Sequence, residues 1–162
     1  MPTSPSIRPP QGQQLYEADL HLWASQQAAL VREGRLSELD LVHIAEELDD
    51  VGNEIYQRLE SALTILLAHM LKWDFQPDRR SRSWEATIRE HRRRVEKLLK
   101  QNPSLKSKLT EALSESYQNG RDRASGETDL PVGRFPEQCS YRWEDILNRE
   151  FSLDAPQSEP PQ

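Results

Sequence analysis

Cysteine is almost missing from this chain of 162 residues: only Cys139 occurs, so neither a disulfide framework nor a cysteine-based zinc site can form within one copy. Long apolar runs are missing too. The longest, LTILLAHML from Leu63 to Leu71, falls far short of the ~20 residues that cross a bilayer, so no membrane association is expected. The opening MPTSPSIRPPQGQQ has no charged start leading into an apolar core, which argues against a secretory signal, and its prolines oppose a helix. A reducing cytoplasm suits these features. Glycine loops that cradle phosphates and the Gly-x-Ser-x-Gly elbow are absent, and Cys139 has no histidine near it in sequence. No run alternates well enough for a sheet. A complete catalytic, metal or cofactor signature is therefore lacking, and neither a metal nor a cofactor is expected.

What is present is charge, unevenly distributed. The net charge is -6. Leu15 to Ala62 carries eleven acidic and three basic residues, and Lys72 to Lys108 five acidic and twelve basic. Beyond Leu109 the sign reverses again, so a wholly basic nucleic-acid-binding surface is not expected.

Helical periodicity organises the rest. Tyr16, Leu20, Trp23, Gln27, Leu30 and Val31 share one face and predict a helix from about Tyr16 to Glu33, ended by Gly34. Asp40 can cap a second helix, with Leu39 and Ile44 at the spacing of a hydrophobic staple. Its apolar stripe runs from Leu41 through Ile44, Leu48, Val51, Ile55, Leu59 and Leu66 to Trp73 without a proline, predicting one long helix with a bend allowed at Gly52. Pro77 stops it by about Phe75. Ser83 is the expected cap of a third helix, with Trp84, Ile88, His91, Val95 and Leu98 facing the core. Ser104 is expected to cap a fourth, ended by Gly120 or Gly126, and Ser140 a short last one. The expected fold is all-α: a single helical bundle-like domain of about five helices over 15–153, between a disordered arm at 1–14 and a disordered tail at 154–162.

These signals also occur in a familiar order. YEADLHLW with Tyr16 and Asp19, Leu39-Asp40 followed by Glu46-Glu47, and the block of His69, Leu71, Lys72, Trp73, Gln76 and Pro77 with Ser83, Trp84, Ile88 and Arg89 resemble the bacterial, largely cyanobacterial family called domain of unknown function twenty-nine. The resemblance covers roughly Tyr16 to Leu153. It implies a soluble, all-helical bacterial protein and no particular activity. It marks His69, Lys72, Trp73, Gln76, Trp84 and Arg89 as a candidate functional cluster.

Three further groups of residues carry possible chemistry. His43, Glu46 and Glu47 have the spacing of helix-bundle metal ligands, but His43 and Glu46 project away from the apolar stripe. A solvated acidic surface of Glu46, Glu47, Asp50 and Glu54 is the preferred reading. His69 and His91 sit in apolar seams of helices joined by a short corner and would anchor a metal-dependent hydrolase if further ligands joined them. Arg79, Arg80, Arg82, Arg92, Arg93 and Arg94 form a candidate basic contact surface, which beside Trp73 and Trp84 would suit a nucleic-acid-binding regulator. The reading preferred over both is a protein-interaction or regulatory adaptor, with a protein partner or self-association. Both tryptophans are expected to be largely buried, and the basic segment to complement acidic protein surface.

Overall fold

The structure, a computed structural model, describes residues 11–154. The tails expected over 1–10 and 155–162 lie outside the described residues. Six α-helices and four short 3-10 turns make up the regular structure of the described residues, and no strand occurs among them. Contacts divide the chain into two compact units, up to Asn53 and from Glu54 onward.

In the first unit, α1 spans Gln11–Ala18 and α2 spans Leu20–Arg32, so helix begins within the expected arm. The single helix predicted from Tyr16 to Glu33 is interrupted at Asp19. That residue leaves helical angles (φ -154, ψ 84) and its carboxylate accepts the Leu22 N–H. A short acceptor side chain competing for backbone donors is the physical reason. Gly34 does end α2: at φ 71 it donates to Val31 O while Arg35 N donates to Leu30 O, the paired bonds of a left-handed C-terminal turn. The long helix α3, Leu41–Phe75, begins where Asp40 accepts the His43 N–H at 3.4 Å.

The second unit contains the remainder of α3, α4 (Arg82–Gln101), α5 (Leu109–Thr128) and α6 (Trp143–Asn148). Its core is continuous: Leu59, Leu63, Leu66 and Leu67 of α3 are fully buried, joined by Ile88 and Val95 of α4, Tyr117 of α5 and Ile146 of α6. Three predicted caps move. Ser81, not Ser83, caps α4 by accepting the Trp84 N–H, because the chain reaches helical angles two residues sooner. Pro103 opens a 3-10 segment to Lys108, so Ser104 does not cap α5. Arg142 rather than Ser140 precedes α6, its N–H accepted by Asp145 at 2.9 Å.

Neither Gly120 nor Gly126 ends α5, which runs to Thr128 and closes on Asp129 at φ 58. Gly120 serves a different purpose. A Cβ there would lie 3.3 Å from Leu67 Cβ, Ala68 N and Thr64 O, so the missing side chain lets α5 approach the α3 backbone.

Candidate functional site

The corner where α3 ends and α4 begins gathers most of the candidate cluster. Pro77 opens the short turn Pro77–Arg79. Lys72 is buried, its Nζ 2.6 Å from Glu127 Oε2 and 4.6 Å from the centre of the Trp84 ring. Gln76 Nε2 donates to Thr128 O at 3.3 Å, so both side chains reach the end of α5. Trp73 is 2 % exposed and meets Phe151 edge-on at 5.8 Å. Trp84 is half-buried and packs against the core, with the Lys72 ammonium over its ring. His69 donates its Nδ1–H to Ile65 O at 2.9 Å, and burial lowers its imidazole pKa. Arg89 points to solvent.

The basic segment divides by direction. Arg80 turns inward, donating Nε to Trp73 O at 2.8 Å and lying 5.1 Å from the Trp73 ring centre. Arg92 donates to Ile146 O at 2.7 Å and Asp145 O at 3.0 Å, and burial pulls its pKa down to about 10. Both guanidinium groups bond carbonyls near helix C-termini, where intrahelical donors run out, although Asp145 O also accepts the Arg149 N–H at 3.2 Å. Arg79, Arg82, Arg93 and Arg94 stay exposed, with Arg82 against Asp154 at 3.2 Å and Arg94 against Glu90 at 2.6 Å.

Beside the corner lies an ionic knot that the sequence reading missed. Asp74, its side chain 0 % exposed, takes Arg149 Nη1 at 2.8 Å and Nη2 at 2.6 Å, and accepts the Tyr141 hydroxyl at 2.7 Å. Burial and the adjacent Asp74 hold the Tyr141 phenol well above its ordinary pKa. Burial works against the Arg149 charge, and the Asp74 carboxylate more than offsets it. A signal was available: Asp74 follows Leu67, Met70 and Leu71 by seven, four and three residues, so an acid sits on the core face of α3. Such a carboxylate requires a buried cation.

Lys72, Asp74, Gln76 and Arg80 are bonded within the fold, which makes the corner a clamp joining the end of α3 to α5 and the C-terminal segment. Among the described residues, no group of three or more His, Cys, Asp or Glu side chains could hold a metal ion. Burial raises the Cys139 thiol pKa, which disfavours the reactive thiolate.

The first unit holds a second constellation. Trp23 Nε1 donates to Asp40 Oδ2 at 3.3 Å, Asp40 N donates to Gln27 Oε1 at 2.9 Å, and His43 Nδ1 lies 2.6 Å from Asp40 Oδ2. The His43 ring stacks on Tyr16 with centres 4.0 Å apart, and Tyr16 donates its hydroxyl to Glu47 at 2.8 Å. That bond, then burial, pushes the Tyr16 phenol up to about 12. His43 is thus packed rather than projecting into solvent, and Glu47 is half-buried, while Glu46, Asp50 and Glu54 are exposed. The aromatic residues of α1 and α2 grip the polar line Asp40, His43 and Glu47.

The apolar stripe on the same stretch of α3 is left open. Leu41 is 65 % exposed, Leu48 67 % and Val51 55 %, with Ala45 and Gly52 exposed between them. No helix of the described residues is long and apolar enough to cross a membrane.

The family model described as Domain of unknown function DUF29 matches residues 15–152. No curated protein and no solved structure matches the chain.

Proposed function

The chain belongs to the family of domain of unknown function DUF29, and from that premise we propose that it is a protein-interaction or regulatory adaptor whose docking surface is the apolar face of α3 in the first unit. The supporting observation is the exposure of Leu41, Leu48 and Val51 at heptad spacing. Leu41, Ile44, Leu48 and Val51 alternate steps of three and four, and the small Ala45 and Gly52 lie on the same arc. A helix seam of this kind is what a partner helix packs against. Contiguous exposed aliphatic surface is uncommon where nothing is meant to cover it.

The flanks of the face name the partner's chemistry. Asp49 borders one side and Glu47 the other, and Glu46 and Asp50 lie beyond them. Acidic flanks on both sides repel a second copy of the same helix and favour a partner helix whose apolar seam is edged with lysine or arginine.

The test uses two synthetic helical peptides with identical leucine and isoleucine seams, one flanked by lysine and one by glutamate, in fluorescence anisotropy with the full chain. The lysine-flanked peptide binds, the glutamate-flanked one does not, and the double substitution Leu48→Asp with Val51→Asp abolishes binding while circular dichroism stays unchanged. Equal binding of both peptides, or binding of neither, overturns the proposal. So does self-association that the double substitution removes.

A further inference from the structure

A cleft in the second unit takes part in neither the corner nor the docking face. It measures about 510 Å³ and is walled by α3 from Glu54 to Ile65 and by α4 from His91 to Gln101. That volume lies within the roughly 300–1,000 Å³ typical of small-molecule sites. Ala62, Ile65 and Leu98 contribute its apolar surface, and Arg58, Arg94 and Lys97 supply cations.

Those cations are only loosely committed. Arg58 meets Glu54 at 2.5 Å and Arg94 meets Glu90 at 2.6 Å, but these side chains are 48 to 63 % exposed. Pairs exposed to this degree contribute about 0–1 kcal/mol, so either guanidinium can turn toward another anion at little cost. Lys97 has no carboxylate partner among the described residues.

The wall contains an unsatisfied group. His91 is 6 % exposed, and its Nδ1 is buried with no hydrogen-bond partner. Burial, and then the Arg94 charge, lower its pKa, so the ring is neutral at pH 7. A neutral imidazole carries one proton. Placing it on the sealed Nδ1 would strand a buried donor, so it resides on Nε2, the edge left to face the cleft.

We propose that this cleft binds a small amphiphilic monoanion, a carboxylate on an aliphatic or aromatic body. The body lies on Ala62, Ile65 and Leu98. The carboxylate is held by Lys97 with Arg58 or Arg94, and His91 supplies a neutral donor. Charge selects the class: Arg58 and Arg94 each stand beside a glutamate, leaving Lys97 as the uncompensated charge, which suits one negative charge. A polyanion would meet Glu54 in the lining and Glu90 at its edge.

The experiment titrates the full chain with sodium octanoate, with 1-octanol as the uncharged control, by calorimetry and by NMR of the His91 ring. Octanoate binds saturably, octanol at least about tenfold more weakly, and the His91 resonances move on binding. Lys97→Glu weakens octanoate by about tenfold or more while helical content is unchanged. His91→Phe removes the donor; should that variant fail to fold, the exposed Lys97→Glu substitution tests the site unaided. Non-saturating binding, equal affinity for octanol, indifference to Lys97→Glu or an unmoved His91 signal each overturns the proposal. The peptide experiment on the docking face reads a different surface, so failure of one leaves the other standing.

Discussion

One helix, α3, has two fates. In the second unit its apolar stripe is the centre of the core, with Leu59, Leu63, Leu66 and Leu67 at 0 % exposure. In the first unit the same periodicity leaves Leu41, Leu48 and Val51 more than half exposed, and the neighbouring helices hold the polar line of Asp40, His43 and Glu47 instead. Hydrophobic period identifies which residues share a face; it does not say whether the chain itself supplies the cover. Where α4, α5 and α6 supply leucine, isoleucine and tyrosine, the stripe is core. Where α1 and α2 supply Tyr16, Trp23 and Gln27, whose polar atoms need partners, the polar line is the better match.

The two polar clusters, around Asp74 in the second unit and Asp40 in the first, give the sharpest way to break this comparison. Asp74→Ala leaves the Arg149 charge buried without its bidentate partner and the Tyr141 hydroxyl without its acceptor. It costs about 3–5 kcal/mol, as removal of one member of a buried pair does. Asp40→Ala, whose side chain is 17 % exposed, removes a helix cap and the acceptor of Trp23 Nε1 and His43 Nδ1, and costs less, about 1–3 kcal/mol. Urea unfolding of both variants measures the difference, and equal losses would mean that the first unit is as tightly determined as the second.

How much of this was legible follows from what each feature depends on. The span of α3 and its stop before Pro77 were readable because period and proline act locally. The break at Asp19 was not, since Tyr16 and Trp23 keep one helical register across it and only backbone angles reveal the cap. Ser81 and Ser83 offer the same oxygen two residues apart, and local chemistry does not choose between them. Gly120 looked like a terminator because its purpose, close approach to Thr64 and Ala68, lies in another helix. Lys72, Trp73 and Gln76 were legible as one block, but their partners Glu127, Phe151 and Thr128 are 52 or more residues away. Asp74 and Arg149 are 75 apart. Only the need for a cation was visible from the sequence.

A pair of leucine truncations tests the two fates of the stripe directly. Leu66→Ala removes a fully buried side chain and costs about 2–5 kcal/mol through lost transfer energy and the cavity left behind. Leu48→Ala removes one that is 67 % exposed and shifts stability by about 0.5 kcal/mol or less. Thermal unfolding distinguishes them. A large loss for Leu48→Ala in the isolated protein would show that this face is already covered, which would remove the basis for docking.

The smallest expected effect concerns a glutamate in the wall of the second unit. Glu60 is half-buried on α3, with Oε1 sealed and unpartnered. Burial raises its pKa, and the nearby carboxylate of Glu115 raises it further. The folded state therefore binds this proton more tightly than the unfolded state does. The stabilising contribution is fully present below the unfolded pKa of about 4.3 and is lost as pH rises through the higher folded value. At neutral pH the ionised side chain is a net burden, so Glu60→Gln, which keeps the shape and removes the charge, is more stable than the parent at pH 7. The advantage shrinks as pH falls and disappears about a unit or more below the unfolded pKa of about 4.3, where the parent is protonated in both states. Urea midpoints at a series of pH values measure the gap. A gap that stays constant with pH would assign the gain to packing rather than proton binding. A variant less stable at pH 7 would mean that the carboxylate has a partner strong enough to outweigh burial and Glu115.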